Sequence, residues 1–432
     1  MSSVLINAPT VVTLNDRREI LPGTSLFIRD GEIVSLIPPG QPLPQADLVL
    51  EGRARAALPG FVNAHTHAAM TLLRGYADDM ELFPWLQEKI WPVEAKLQQE
   101  DVYWGTMLAI AEMIRGGVTC FNDMYFYFEA AARACRETGI RACISGVLLG
   151  LRPGAEDDLA KALAFATEEK RLNGGRVIHL LGPHASYTCP DELMRKVIAA
   201  AWEHNIGLHI HLSETKQEVA DSRAQHGETP IAHMDRLGMF GGPPVIAAHC
   251  VWPTDEEIAL LAEKRVGVAH CPGSNMKLAS GAAPVSKLLA AGAPVGLGTD
   301  GAASNNNLDL LEEARLAALL AKVESFDPTA VKAYDALYLA TRGGAEALGM
   351  GDRIGQITPG YRADIILVDL RQPHLWPPHD LVSHLVYAAR AGDVRTVLVE
   401  GQPLLIDGVL QTLDEARVLA HSAACAQRLI GG

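Results

Sequence analysis

The chain has 432 residues, of which 48% are apolar and 20% charged, and it carries a formal net charge of −14. This balance is typical of a globular protein with a sizeable core and excludes a disordered chain. The negative charge argues against nucleic acid as a partner, since binding a polyanion requires an excess of lysine and arginine. No apolar run approaches the roughly 20 residues of a membrane span, no secretory signal is evident, and the seven cysteines form no CxxC pair. We therefore expect a cytoplasmic protein that does not bind a membrane.

The two ends of the chain predict antiparallel β-structure. Residues 1–57 contain alternating segments such as VLINAPTVVT and TSLFIRDGEIVSLI, separated by DG and PPG turns. Residues 359–432 contain PGYRADIILVDL and VRTVLVEGQPLLIDGVL, which have the same character. Because neither end has enough strands to bury a core alone, we predict that the two ends pair into one small β-sandwich domain.

Residues 58–358 contain eight short apolar segments, each followed by a longer stretch with helical periodicity. The segments are LPGFVNAHTH (58–67), VTCFNDM (118–124), RACISGVLL (141–149), RVIHLLGPHASY (176–187), GLHIHLSE (207–214), PVIAAHCV (244–251), RVGVAHCP (265–272) and PVGLGTDGA (294–302). This repetition predicts an α/β fold of the (β/α)₈ TIM-barrel type. A doubly wound sheet is the competing architecture, but no G-x-G-x-x-G motif follows the first strand.

Side chains that can bind a metal cluster at the carboxyl ends of these strands, where barrel enzymes place their active sites. His65 and His67 are two residues apart in the first strand, so both imidazoles point to one side. His211 ends the fifth strand and Asp300 follows the eighth. Three imidazoles and one carboxylate suit Zn²⁺, and Fe²⁺ would be satisfied by the same ligands. A single HxH motif could be accidental, but its coincidence with the other strand-end residues favours a metal site.

The same strand ends carry candidate catalytic groups. A divalent cation lowers the pKa of a bound water to roughly 7, and such a site then needs a proton shuttle. Glu214 lies three residues beyond His211, so we predict that it moves this proton to a ring nitrogen of the substrate; the alternative is a carboxylate that caps a helix. His249 is predicted to steady the attacking oxygen and Asp300 to assist while it binds the metal. His209 is expected to be a hydrogen-bonded core histidine.

The stretches that carry these residues resemble the amidohydrolase superfamily and, more narrowly, its branch of 5-methylthioadenosine/S-adenosylhomocysteine deaminases with their chlorohydrolase-like relatives. They are PGFVNAHTHAAMTLLRGYADD, LQEKIWPVEAKL, GGVTCFNDMYF, GPHASYTCPDEL, HIHLSET, AAHCVW, AHCPGSNMKLASG and GTDGAASNNNLDLLEE, and they span nearly the whole chain. The resemblance implies the same metal ligands and catalytic groups. It also implies a single metal ion, because binuclear members have a lysine after the fourth strand where this chain has GPHASY.

The resemblance further implies substrate contacts. Glu94, in WPVEAKL, looks like the carboxylate that binds the ribose hydroxyls, and Trp85 looks like an aromatic wall of a nucleoside pocket. His184 resembles a histidine on the substrate side at the end of the fourth strand. Ser304, in the DGAASNNN loop, and Arg152 are expected to approach the ligand.

The motifs together predict a hydrolytic deaminase that converts an adenine nucleoside to its hypoxanthine counterpart and ammonia. The expected substrates are 5-methylthioadenosine, S-adenosylhomocysteine or adenosine, and a homo-oligomer is expected for such a barrel. One alternative is a deaminase or chlorohydrolase of a free base or an s-triazine, for which the ribose-binding carboxylate Glu94 would have no purpose. The other is a non-catalytic barrel that binds a metal, against which Glu214 argues, since a purely structural ion site needs no proton shuttle.

Overall fold

The computed structural model describes residues 3–150, 154–172 and 175–431. Within them the strands are β1 (Ser3–Asn7), β2 (Thr10–Val12), β3 (Ile20–Leu21), β4 (Ser25–Arg29), β5 (Glu32–Ile37), β6 (Leu48–Glu51), β7 (Arg55–Pro59), β8 (Phe61–Thr66), β9 (Val118–Tyr125), β10 (Arg141–Leu148), β11 (Val177–Pro183), β12 (Leu208–Leu212), β13 (Val245–His249), β14 (Gly267–His270), β15 (Val295–Leu297), β16 (Ile365–Asp369), β17 (Val394–Val399), β18 (Gln402–Ile406) and β19 (Val409–Leu410).

The α-helices lie in the segments between the strands and after the last strand. They are α1 (Leu82–Pro84), α2 (Trp91–Glu94), α3 (Gln99–Arg115), α4 (Phe128–Thr138), α5 (Ala155–Leu172), α6 (Asp191–His204), α7 (Lys216–His226), α8 (Pro230–Arg236), α9 (Asp255–Glu263), α10 (Pro272–Lys277), α11 (Val285–Ala291), α12 (Ala302–Asn305), α13 (Leu310–Ser325), α14 (Ala333–Tyr338), α15 (Gly344–Ala347), α16 (Leu381–Tyr387) and α17 (Glu415–Ile430). Two π-helical segments (Trp85–Ile90 and Leu339–Gly343) and three 3₁₀ segments (Ala68–Leu73, Pro373–Leu375 and Ala391–Asp393) complete the helical structure described. In the described part of the chain, every helix is too short or too polar to cross a membrane.

Strands β8 to β15 form a parallel sheet in which the order of the strands follows the chain. The last strand returns to the first, because the N–H of Asp300, just after β15, donates to the carbonyl of His65 in β8 at 3.0 Å. Gly298 permits this approach, since a Cβ there would lie 2.9 Å from the same carbonyl oxygen. The predicted (β/α)₈ barrel is confirmed, and each of the eight predicted segments coincides with one barrel strand.

Both ends of the chain contribute to two further sheets. One contains N-terminal strands alone, in the order β5-β4-β1-β6, and the other combines both ends in the order β19-β18-β17-β16-β7-β2-β3. Alternate residues of β16 face opposite sides: Ile365 and Leu367 pack with Val4 and Ile6 of β1, whereas Ile366 packs in the main core. The predicted β-structure shared by the two ends is confirmed, and the boundaries at residues 57 and 359 stay a prediction.

A buried ion pair connects the barrel to these sheets. Arg141, the first residue of β10, has a side chain only 1% exposed. Its Nε lies 2.8 Å from Oδ2 of Asp364, which precedes β16, and its Nη2 lies 3.0 Å from Oε1 of Glu400, between β17 and β18. The carboxylate before β16 and the carboxylate after β17 thus bind the same buried guanidinium of the barrel. This ion pair therefore fixes the position of the sheet relative to the barrel.

Replacing Arg141 with methionine is expected to lower the free energy of unfolding by about 3–5 kcal/mol, because Asp364 would stay buried without its cation. Chemical denaturation of the full-length protein measures this loss. The matched control is Arg53→Met, which removes an arginine from an exposed pair with Glu51 and should leave the stability close to that of the wild type. Equal stability of the two variants would contradict the structural role given to Arg141.

Candidate metal centre and active site

Four side chains meet at the carboxyl ends of the barrel strands. Oδ1 of Asp300 lies 3.3 Å from Nε2 of His65 and 3.3 Å from Nε2 of His67. Nε2 of His211 lies 3.3 Å from Nε2 of His67. The sequence-predicted ligands are therefore brought together in two overlapping groups: His65, His67 and Asp300 have ligand atoms within 4.8 Å of one another, and His65 has the same relation to His211 and His249.

Backbone carbonyls turn two of the imidazoles toward this point. Nδ1 of His67 donates to the carbonyl of Met124 at 2.6 Å, and Nδ1 of His211 donates to the carbonyl of His184 at 2.7 Å. Each ring therefore carries a proton on Nδ1, which leaves Nε2 with a lone pair in the neutral form. Two such lone pairs facing each other at 3.3 Å are stabilised by a cation between them, and the set fits a divalent metal ion.

The third imidazole is held by another histidine. Nδ1 of His65 lies 2.8 Å from Nε2 of His209, whose own Nδ1 lies 3.0 Å from Oγ of Ser145. Among the described residues, Nε2 of His65 is buried without a hydrogen-bond partner, as expected for an atom that binds a metal. His209 is hydrogen-bonded within the core, as the sequence analysis expected.

Two serines hold the carboxylate of Asp300. Its Oδ2 accepts hydrogen bonds of 2.7 Å from Oγ of Ser274 and of 2.7 Å from Oγ of Ser304, which leaves Oδ1 facing the histidines. Although burial opposes ionisation, His65 and His67 hold the pKa of Asp300 well below its usual range. The Asp300 side chain is thus an ionised carboxylate with a fixed orientation, as an anionic metal ligand requires.

Protons distribute unevenly over the histidines of this cluster. Burial lowers the pKa of His65 to about 4. Burial also acts on His67, but the Asp300 carboxylate outweighs it and raises the pKa of His67 to about 9. The carboxylate therefore attracts positive charge to the point where the four side chains converge, and a metal ion binding there would displace a proton.

Glu214 and His249 lie beside the four ligands. Oε2 of Glu214 lies 3.8 Å from Nε2 of His249, and Nδ1 of His249 lies 2.9 Å from Oδ1 of Asn275, which turns Nε2 toward the cavity. A nitrogen of His249 also falls within 4.8 Å of ligand atoms of His65 and His211. Burial raises the pKa of Glu214, a shift in the direction that helps a carboxylate to take up a proton.

A second buried carboxylate, Glu218, supports the backbone of Glu214. Its Oε2 accepts the N–H of Glu214 at 2.7 Å and its Oε1 accepts the N–H of Ser213 at 3.1 Å. Ser213 has a φ of 52°, so these bonds stabilise a left-handed turn. The helix α7 is capped by Thr215 and not by Glu214. The sequence analysis missed Glu218, although its place in the first turn of α7 could have marked it as a capping carboxylate.

A cavity opens from the proposed ligands toward the surface. Its lining includes Trp85, Glu94, His184 and Ser304, all of which the sequence analysis selected. The further lining residues include Met70, Leu82, Leu86, Trp91, Met124, Tyr125, Phe126, Val147, Leu149, Tyr187 and Leu278. The cavity is therefore mainly apolar and aromatic with polar groups at its ends, a composition suited to a heterocyclic ligand. Arg152 lies outside the described residues.

Glu94 and Trp85 occupy defined positions in this cavity. Glu94 faces the cavity, so part of its surface is exposed. The protein atoms around the rest of the side chain raise its pKa, and a hydrogen bond with Tyr125 opposes this shift. Trp85 is 4% exposed, and its Nε1 donates to the carbonyl of Ala77 at 3.1 Å. His184 is oriented by Thr188, whose Oγ1 lies 3.0 Å from its Nδ1. The sequence offered no sign of the contact between Glu94 and Tyr125.

The chain belongs to the amidohydrolase family, because the model of that family matches residues 56–404. The resemblance seen in the motifs is thus confirmed. A 5-methylthioadenosine/S-adenosylhomocysteine deaminase of Pelotomaculum thermopropionicum is 49% identical over an alignment that covers 100% of this chain and 99% of that protein.

Solved structures agree with this relationship. An adenosine deaminase from Xanthomonas campestris with bound zinc has a TM-score of 0.95 and 40% identity, and the match covers 100% of this chain and 99% of that one. An atrazine chlorohydrolase from Arthrobacter aurescens complexed with zinc has a TM-score of 0.91 and 26% identity, with 98% and 100% covered. The fold is therefore shared by zinc-containing proteins that are named for different substrates.

Proposed function

We propose that this chain is a hydrolytic deaminase that converts an adenine nucleoside to the corresponding hypoxanthine nucleoside and ammonia. The preferred substrates are 5-methylthioadenosine and S-adenosylhomocysteine, with adenosine as a further candidate. The single observation that carries the proposal is the buried cluster of His65, His67, His211 and Asp300 with Glu214 beside it. The full-length relative named as a deaminase of these two nucleosides supports the choice of substrate.

The cluster is proposed to hold one divalent metal ion, Zn²⁺ in preference to Fe²⁺. Three imidazoles and one carboxylate are a ligand set that Zn²⁺ accepts, and the two similar solved structures contain zinc. When bound, such an ion acts as a Lewis acid that ionises a water molecule near neutral pH. Ser274 and Ser304 keep Asp300 in place for this role, and His209 keeps His65 in place.

Glu214 is proposed to move the proton. It accepts a proton from the attacking water and delivers it to N1 of the purine while the oxygen adds to C6. The remaining proton of the hydroxyl group added at C6 then passes to the amino group, so the C6–NH2 bond breaks, ammonia leaves and the C6 carbonyl of hypoxanthine forms. His249 steadies the attacking oxygen, and Asn275 keeps its ring in position.

The cavity is proposed to bind the rest of the nucleoside. The Glu94 carboxylate accepts hydrogen bonds from the ribose hydroxyls, and Trp85 provides an apolar wall. His184 and Ser304 line the same cavity near the ligands of the ion. Because charged hydrogen bonds are roughly twice as strong as neutral ones, Glu94 contributes most to the distinction between a nucleoside and a free base.

Replacing Glu94 with glutamine is expected to lower kcat/KM for 5-methylthioadenosine by about 10–10²-fold, since loss of a charged hydrogen bond costs about 1.5–3 kcal/mol. Steady-state kinetics of ammonia release measures the change. The control is Glu88→Gln, a nearby exposed carboxylate, which should behave as the wild type. Unchanged kcat/KM in the Glu94 variant would contradict the proposed contact with the ribose.

A panel of compounds distinguishes the proposed deaminase from its two alternatives, a hydrolase of free bases or s-triazines and a non-catalytic barrel that binds a metal. Metal-loaded protein is incubated with 5-methylthioadenosine, S-adenosylhomocysteine, adenosine, guanine and an amino-s-triazine, and ammonia is measured. The proposal predicts release from the nucleosides. Release from guanine or the triazine alone would favour a hydrolase of free bases or triazines, and silence across the panel would favour a non-catalytic barrel.

We further propose that the protein acts in the cytoplasm as a homo-oligomer. All seven cysteines are free in the part of the chain that the structure describes, which suits a reducing compartment. Closed symmetric assemblies are common among soluble enzymes, and sedimentation of the purified protein tests this assembly.

A further inference from the structure

Three side chains from three helices meet outside the active site. Asp191 is the first residue of α6, His226 is the last residue of α7, and His233 lies within α8. One ligand atom from each lies within 4.8 Å of the other two. None of these residues lines the cavity described above or touches its ligands, so the cluster needs a separate explanation.

His233 is the centre of this cluster. Its side chain is only 2% exposed, its Nε2 lies 2.9 Å from Oδ1 of Asp191, and its Nδ1 lies 2.9 Å from Oε1 of Glu228. The ring of His226 packs on the ring of His233 with centroids 3.9 Å apart. A carboxylate at one ring nitrogen, as Glu228 is at Nδ1, commonly orients a histidine that binds a metal through its other nitrogen.

The local charge also favours a cation. Asp191 and Glu228 bring two negative charges, and Arg236 brings one positive charge, with its Nε 2.6 Å from Oε1 of Glu228. The Nη2 of Arg236 lies 2.9 Å from Nδ1 of His233. A guanidinium can only donate, so an ion on Nε2 requires the tautomer in which Nδ1 carries the proton and donates it to Glu228, while Arg236 donates to Glu228. The guanidinium therefore occupies the Glu228 side of the ring and leaves the side between Nε2 and Asp191 to a second cation.

We propose that Asp191, His226 and His233 form a peripheral site for a divalent transition-metal ion, with Zn²⁺ as the best match. Two imidazoles and one carboxylate suit a borderline cation better than Mg²⁺ or Ca²⁺, which take oxygen ligands. Solvent completes the coordination, because Asp191 and His226 are partly exposed. An ion here ties α6 to α7 and α8, the helices that follow the barrel strands β11 and β12, and stabilises the folded chain by binding to it alone.

The test is a count of bound ions in the full-length protein. Chelator-treated protein is titrated with Zn²⁺ against a chromophoric chelator, and the wild type is expected to bind two ions per chain. His226→Ala should bind the peripheral ion at least about 10-fold more weakly, so that one tightly bound ion per chain remains. The matched control is His204→Ala, an exposed histidine at the end of α6, which should still bind two.

Two further measurements separate this site from the catalytic one. Without metal, His226→Ala should melt at the same temperature as the metal-free wild type, because the side chain is partly exposed and neither protein holds an ion. With metal, its deaminase activity should match that of the wild type. Asp300→Asn should keep the peripheral ion while losing the other. One ion per wild-type chain, or two ions with unchanged Kd values in His226→Ala, would overturn the proposal.

Discussion

The Glu214→Gln variant is expected to deaminate nucleosides about 10²–10⁴-fold more slowly than the wild type in kcat, while it binds the same number of metal ions. Glutamine keeps the shape of the side chain but cannot take up the proton that general base catalysis requires. KM should change little, because Glu214 acts on the water and on the ring nitrogen and does not hold the ribose. Ammonia release gives the rate, and atomic emission gives the metal content.

The control for this variant is Glu263→Gln, which changes an exposed carboxylate at the end of α9. It should keep full activity. If the Glu214 variant stayed within a few-fold of the wild type, the proton would have to move through another group, and His249 would then be the nearest candidate.

The second large effect is expected from Asp300→Asn, which removes the only carboxylate from the four ligands while keeping the shape of the side chain. The affinity of the catalytic ion should fall, and kcat/KM should fall by at least about 10⁴-fold, because an enzyme of this kind depends on its ion to ionise water at neutral pH. Metal analysis after gel filtration and ammonia release together measure both losses.

Asp255→Asn serves as the matched control, since Asp255 is exposed and pairs with Lys287 on the surface. It should retain its metal and its activity. An Asp300→Asn protein that held the catalytic ion as tightly as the wild type would show that Asp300 is not a ligand, and the three histidines would then need a different fourth partner.

Much of the barrel could be predicted from the sequence, because its signals are local. Each strand is a short apolar run before a helix, and the two-residue period of a strand places His65 and His67 on one side. The structure agrees, since both Nε2 atoms lie 3.3 Å from Asp300. That β-structure at both ends is shared could also be predicted, because neither end can bury a core alone.

The remaining details depend on contacts between distant parts of the chain. The pairing of β7 with β16, and the division of the terminal strands into two sheets, have no local signature. The same holds for Ser274 and Ser304 on Asp300, and for Glu218 behind Glu214. The two serines and Glu218 look like ordinary residues of short helices in the sequence, and only the fold shows which functional side chain each of them contacts.

The central claim is tested most directly by following the ultraviolet absorbance of 5-methylthioadenosine with Zn²⁺-loaded full-length protein and measuring ammonia in the same sample. We expect the adenine spectrum to change to that of hypoxanthine with one ammonia released per nucleoside, to stop after chelation, and to resume when Zn²⁺ is restored. An unchanged spectrum without ammonia, for this nucleoside and equally for S-adenosylhomocysteine and adenosine, would contradict it.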